Sequence, residues 1–296
     1  MPSPVPSVAG LRFSDPALQP IAAKVAAGTR LGQADARTLF ETTDLMGVGR
    51  LADAVNRAKH GDVVTFAANQ HINPTNVCIL RKTCVFCGYA RLPKEDGAYR
   101  YTLAQVLEEA SHAADGLTKE FHIVGGLDMQ AGLEYYTTMF RALKANFPHV
   151  HIKALTAVEI AHLARIEKLS WAEVLTALKE AGLDTMPGGG AETFSAAVRD
   201  IIADKKLGGA DYIGVHRTAH GLGIRSNCTM LYGHVETVED RIEHFQMLRD
   251  LQDDTGGFLA FIPLAYHPDD NELGLTLNRR GTSTAGTLDL RMLAVG

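Results

Sequence analysis

Along the first sixty residues, apolar positions recur at helical spacing. They predict a helix over 18–27 closed by Gly28, then helices over 33–45 and 49–59, the last ending before Gly61. From about residue 62 the pattern changes: short β-branched runs alternate with amphipathic helical stretches. The runs read as strands at 63–66 with the segment leading to Asn76, 121–124, 151–155, a short one near 185–187, 224–232 and 258–264. The helices between them are punctuated. Thr102 with Gln105, Thr156 with Glu159 and Ser170 with Glu173 form capping-box patterns, and Thr237 is placed to cap a helix running to about Asp254. Gly182 and Gly221 stand where C-terminal caps belong.

Strand–helix alternation of this kind predicts an α/β fold with a parallel sheet and helices outside. No G-x-G-x-x-G follows the first strand, which argues against a dinucleotide-binding fold. The reading is therefore a (β/α) barrel of about six strands over 62–296, with a helical extension over 1–61 that carries no chemistry of its own. In such barrels the chemistry sits where strands end and βα loops begin.

Composition narrows the class. The chain has 296 residues, 29 Lys+Arg against 34 Asp+Glu, a net charge of -5, and 46% hydrophobic residues. That apolar fraction is enough to offset the ordering entropy, so a folded domain is expected. Mild acidity argues against a nucleic-acid surface. No apolar run reaches the roughly 18 residues of a membrane span, and MPSPVPSVAG lacks the basic start of a secretory signal. A cytoplasmic protein with a frayed, Pro/Ser-rich start is expected. Of the four cysteines, Cys78, Cys84 and Cys87 lie close together and Cys228 stands apart, a poor disulfide framework that fits a reducing compartment.

The close three are spaced C-x5-C-x2-C within NQHINPTNVCILRKTCVFCGYAR. Three thiolates on one loop hold three corners of a cubane iron–sulfur cluster and leave the fourth iron free to bind a ligand. A zinc site is an alternative. It would need a fourth ligand such as His71 and is often built from paired C-x2-C units, of which there is one here. Inert buried cysteines are the third reading.

This segment resembles the radical S-adenosylmethionine (SAM) superfamily, whose usual loop is C-x3-C-x2-C with an aromatic residue before the last cysteine. That aromatic is Phe86 here, which by resemblance packs near the adenine; the first gap is five instead of three. Gly125-Gly126 follows the second strand, where the superfamily receives the methionine amino group of SAM on a backbone edge. TMLYGHVE is similar to the superfamily's G-x-I-x-G-x-x-E run. There Leu231 would flank the adenine and Gly233 would permit close approach, with Thr229 replacing the first glycine. In PGGGAE, glycines allow backbone N–H groups near SAM. Glu192 would accept hydrogen bonds from its ribose or amino group, the rival reading being a tight turn with a helix N-terminal glutamate.

At finer grain, HINPTNVC, IVGGL, KALTAVEIAH, PGGGAE, VHRTAHGLGIRSNCTMLYGHVET and TGGFLAFIPLAYHP resemble the aminofutalosine synthases of the futalosine route to menaquinone, from about residue 18 to 270. The resemblance implies a transferase with a [4Fe-4S] cluster on Cys78, Cys84 and Cys87 and SAM as co-substrate. Its 5'-deoxyadenosyl radical would add to 3-[(1-carboxyvinyl)oxy]benzoate; rearrangement and decarboxylation would give 6-amino-6-deoxyfutalosine. A flavodoxin- or ferredoxin-type protein would supply electrons. Related cyclases and deazaflavin-cofactor synthases, which abstract hydrogen, are the enzymatic alternative; a zinc-stapled barrel without activity is the other.

A substrate with two carboxylates calls for cationic or donor groups. Arg225 on the fifth strand, His234 and His267 are the expected catalytic or binding residues, with His71, His216 and Arg217 as weaker candidates and a surface ion pair as the rival role for Arg217. Tyr89 reads as cluster packing or substrate stacking, and Cys228 as a buried hydrophobe. From Leu273 onward the text departs from the family, which continues with further strands. The barrel is expected to be incomplete there, with a helix starting near Leu288.

Overall fold

The computed structural model describes residues 10–279 and 284–296, together with Val5 and Val8. Most of the Pro/Ser-rich start lies outside the described residues. The strands β1 (Asn69–Ile72), β2 (Glu120–Ile123), β3 (His151–Ala154), β4 (Thr185–Met186), β5 (Arg225–Tyr232) and β6 (Phe258–Ala265) form one sheet in chain order. Every neighbouring pair is parallel, and the sheet curls into a half-barrel. The connecting helices are α4 (Leu103–Ala110), α5 (Leu133–Asn146), α6 (Ala157–Glu167), α7 (Trp171–Ala181), α8 (Ala196–Ile202), α9 (Gly209–Gly221) and α10 (Val238–Thr255).

Alternation along each strand divides the sheet into two faces. Ile72, Phe121, Ile123, Ile152 and Ala154 point to the helix layer and pack with Val106, Phe140, Leu163 and Leu178 in the main core. The residues between them line the inner face. The capping boxes of Thr102, Thr156 and Ser170 all close, as does a fourth from Thr237 to Asp240; each such cap contributes about 1 kcal/mol. Gly182 ends α7 in the left-handed conformation that glycine accommodates.

Before the barrel come α1 (Leu18–Ala26), α2 (Gln33–Glu41) and α3 (Leu45–His60). After it come α11 (Glu272–Thr276) and α12 (Gly286–Val295). Leu18, Ile21, Leu39, Val48 and Leu51 form a separate core that also takes in Ala294 and Val295 of α12. Arg30 pairs with Asp253 at 2.5 Å, and Arg249 donates to the Leu31 carbonyl at 2.8 Å, fastening this region to α10. Among the described residues no helix is long and apolar enough to cross a membrane.

Three expectations need correction. Residues 63–66 form no strand: Val64 and Phe66 are 88% and 93% exposed. A β-branched run without a ladder partner stays irregular, and pairing with β2 begins only at Asn69. The break between α2 and α3 falls earlier than expected. Asp44 caps α3 by accepting from Gly47 N at 2.8 Å, and its second oxygen accepts from Ser14 N at 2.7 Å. Finally, Gly221 remains within α9 and the left-handed turn falls on Gly223.

Candidate active site

Immediately after β1 the chain enters the cysteine loop, held by backbone and side-chain hydrogen bonds on both flanks. Thr75, fully buried, donates to the Tyr99 carbonyl at 2.9 Å and accepts from Val77 N at 3.1 Å. The Asn76 side chain donates to the Gly97 carbonyl at 2.9 Å and accepts from Tyr99 N at 2.8 Å. Cys78 N donates to the Arg91 carbonyl at 2.9 Å. Further along, Val85 N donates to the Ile202 carbonyl at 3.0 Å, and Leu273 N donates to the Val85 carbonyl at 2.9 Å. Tyr89 extends this scaffold, its hydroxyl 2.6 Å from that of Tyr99.

Cys78, Cys84 and Cys87 are free thiols in one apolar cluster with Phe86, Leu80, Leu127, Leu231 and Tyr266. Burial pushes the Cys84 thiol up to about 11; Lys206 opposes the shift, while Cys78 and Cys87 add to it. Among the described residues no three His, Cys, Asp or Glu side chains gather tightly enough for one metal ion. His71, the fourth ligand a zinc site would call on, is stacked on His122 at 4.6 Å. Three thiols on one loop could each hold one iron of a cluster.

The glycine pair after β2 packs against this loop. A Cβ on Gly126 would lie 2.2 Å from the Val77 carbonyl oxygen, and Gly126 N donates to the Thr75 carbonyl at 2.9 Å. Gly125 N donates to Glu159 Oε1 at 2.9 Å. Glu159 is the capping-box acid of α6 and is buried. Burial raises its carboxyl to about 7, against the three donors at Thr156 and Gly125.

The loop after β4 forms the opposite side. Gly188 runs so close to β5 that a Cβ would meet Cys228 Cα at 2.6 Å. The Glu192 carbonyl accepts from Leu231 N at 2.8 Å, tying this loop to β5. Glu192 is buried with φ +50° and pairs with Lys206 at 2.5 Å. The Lys206 ammonium lies 5.3 Å from the centre of the Phe86 ring, a cation–π contact. Lys206 therefore links Glu192, Phe86 and the cysteines. Arg199 donates to the Ala191 and Thr193 carbonyls at 2.8 and 3.0 Å, fixing the same loop from within.

The expected residues thus divide. Phe86, Leu231, Glu192 and the cysteines come together around Lys206, with Gly125 and Gly126 against the cysteine loop. Gly233, φ +87°, closes the turn after β5, where Glu236 accepts from both Gly233 N and His234 N. His234 does not project into open space. Its side chain is fully buried, Nε2 lies 3.1 Å from the Leu231 carbonyl and Nδ1 3.3 Å from Glu236 Oε2; burial lowers its pKa and Glu236 opposes the shift, so the residue braces the turn. Arg225 is also displaced: it is the exposed first residue of β5, at the amino end of the strand. His267 stands exposed after β6, at the carboxyl end, with Asp269 3.8 Å away. Arg217 makes an exposed ion pair with Asp254 at 2.9 Å, and His216 is buried against Ser226 at 2.8 Å. Cys228 is buried as expected.

Sequence reasoning missed Lys206, Arg199 and the inward role of Glu159. Lys206 sits in DKKLGG beside Lys205, and nothing local distinguishes the buried lysine from the exposed one.

Residues 72–248 match the family model of the radical SAM superfamily. The aminodeoxyfutalosine synthase of Thermus thermophilus is 46% identical over 281 residues, covering 95% of this chain and 75% of that protein. The 5-amino-6-(D-ribitylamino)uracil–L-tyrosine 4-hydroxyphenyl transferase 1 of Methanosarcina acetivorans is 39% identical, covering 83% and 64%. In fold, the FeFe-hydrogenase maturase HydG from Carboxydothermus hydrogenoformans superposes with a TM-score of 0.73 at 17% identity, over 94% of this chain and 62% of that one. With its cysteine loop, its half-barrel and this similarity over nearly its whole length, the chain is an enzyme of the radical SAM superfamily and belongs to the aminodeoxyfutalosine synthase family within it.

Proposed function

We propose that this enzyme couples the 5'-deoxyadenosyl group of SAM to 3-[(1-carboxyvinyl)oxy]benzoate, with rearrangement and decarboxylation, to give 6-amino-6-deoxyfutalosine for menaquinone biosynthesis. The observation that carries the reading is the gathering of Cys78, Cys84 and Cys87 with Phe86 and Leu231 in one cluster at the carboxyl ends of the strands, in a chain 46% identical to an aminodeoxyfutalosine synthase. Cys78, Cys84 and Cys87 would hold a [4Fe-4S] cluster, which supplies one electron to the sulfonium of SAM. Phe86 and Leu231 provide apolar surfaces for the adenine. Gly125 and Gly126 bring a backbone edge to the methionine end, and Gly233 leaves room beside it. Glu192, paired with Lys206, would accept hydrogen bonds from the ribose or amino group. The buried cluster around Tyr266 keeps water from the reacting carbon. The electron donor is a flavodoxin- or ferredoxin-type protein, and the enzyme works in the cytoplasm.

Anaerobic reconstitution with iron and sulfide, followed by dithionite, SAM and the enol ether, tests the reading by product mass. A product carrying the adenosyl group and lacking the carboxylate carbon is expected. Stoichiometric free 5'-deoxyadenosine with no adduct would overturn it in favour of hydrogen abstraction, the reading that the similarity to the hydroxyphenyl transferase supports.

A further inference from the structure

The inner face of the half-barrel is not uniform. On β1–β3 the residues opposite the apolar core positions are polar or charged: His71, Glu120, His122, His151 and Lys153. Barrel interiors are usually filled by Val, Ile and Leu, so a titratable wall is a built feature. His71, His122 and Lys153 occupy one cross-strand row, each one residue short of its strand's carboxyl end. The two imidazoles lie parallel, 4.6 Å apart and 12° from coplanar. Lys153 is mostly buried and anchored by Glu120 at 2.8 Å. His122 is held neutral by burial, with His71 and Lys153 beside it, and offers N–H donation while Lys153 supplies the charge.

On β6 the same face is apolar, and on β5 it carries Thr229 and Leu231. Phe261 packs edge-on against Phe245 of α10, which turns Ile262 and Leu264 inward. These two pair with Thr229 and Leu231, and they remain 39% and 41% exposed. Leu231 belongs to the cluster that contains the cysteines, so the apolar wall is continuous with the site.

We infer that the row His71–His122–Lys153 is the seat for a carboxylate of an aromatic acid, whose ring is directed to the wall of Ile262 and Leu264. This replaces Arg225 and His234 as carboxylate-binding residues. It deepens the proposed function and rests on that reading only for the identity of the acid.

The test is equilibrium binding to reconstituted protein with SAM but without reductant, so that no turnover occurs. The probes are 3-[(1-carboxyvinyl)oxy]benzoate and its dimethyl ester. Lys153→Met and His122→Gln are each expected to weaken binding of the acid about tenfold or more, as loss of a charge-assisted or donor contact does, and to leave the ester unchanged. Lys153→Met/Glu120→Gln removes the ion pair together, so that no lone buried carboxylate remains, and should show the same loss. Arg225→Ala should bind like the wild type. Wild-type affinity for the acid in both the double variant and His122→Gln overturns the inference, as does equal wild-type affinity for acid and ester. Turnover separates the two claims. Lys153-dependent binding of the acid without an adenosyl adduct would leave the seat standing and the proposed reaction refuted. Adduct formation at unchanged KM in the variants would do the reverse.

Discussion

In the helical region of α1 to α3, side chain meets side chain; around the cysteines, backbone also meets backbone at close range. Leu18, Ile21, Val48 and Leu51 interlock as ordinary apolar residues in a separate core. The cysteine loop instead rests on hydrogen bonds from Gly126 N, Cys78 N and Val85 N, and on glycines whose missing side chains permit the contact. A side-chain core tolerates a void at a cost in stability. A backbone contact leaves no slack, so position itself is lost when one atom is added. The first arrangement sets how stable the enzyme is; the second sets where its sulfurs lie.

The sharpest way to break this contrast is Gly126→Ala. Its Cβ would lie 2.2 Å from the Val77 carbonyl, so the cysteine loop must shift. Bound iron after reconstitution should fall to a small fraction of the wild-type level while the far-ultraviolet dichroism is retained. Full iron loading would show that the close approach is dispensable. Leu51→Ala should do the opposite. Truncating this buried residue costs about 2–5 kcal/mol in denaturant unfolding, with iron per folded chain unchanged.

The smallest effect concerns two matching capping boxes. Glu159 is buried and its carboxyl is raised to about 7, whereas Glu173 is exposed and the donors of Ser170 hold its carboxyl below the ordinary 4.5. A raised acid binds its proton more tightly in the folded state. The stability Glu159 contributes is therefore present below its unfolded value near 4.5 and is lost as pH rises through about 7. Relative to Glu159→Gln, the wild type should lose melting temperature between pH 5 and 7.5. Parallel pH profiles of the two proteins would show that the burial of Glu159 has no energetic consequence.

The helices were legible because their signals are local. Thr102, Thr156, Ser170 and Thr237 each cap a helix through a residue three positions on. Strands β2 to β6 were legible from β-branched and aromatic runs between turns. β1 was legible only in part: it lies in the segment leading to Asn76, whereas the apolar run at 63–66, where the strand was expected to begin, finds no partner. The cysteines announced themselves by spacing. Lys206 and Arg199 did not, since their burial depends on the loop after β4 folding over the one after β1. Arg225 was misplaced for a related reason. A position on a strand does not reveal which end of the barrel it occupies, and β5 is twice as long as β1.

The hydrogen bonds that join Val85 to Ile202 and to Leu273 bear on the order in which the enzyme matures. A polypeptide leaves the ribosome amino end first, so the three thiols emerge long before the residues that hold their loop. Until Ile202 and then Leu273 are made, the loop lacks its two distant anchors and its thiols are more open to oxidation. A cluster on these thiols would therefore find its loop complete only late, after synthesis of β6 rather than with that of β1.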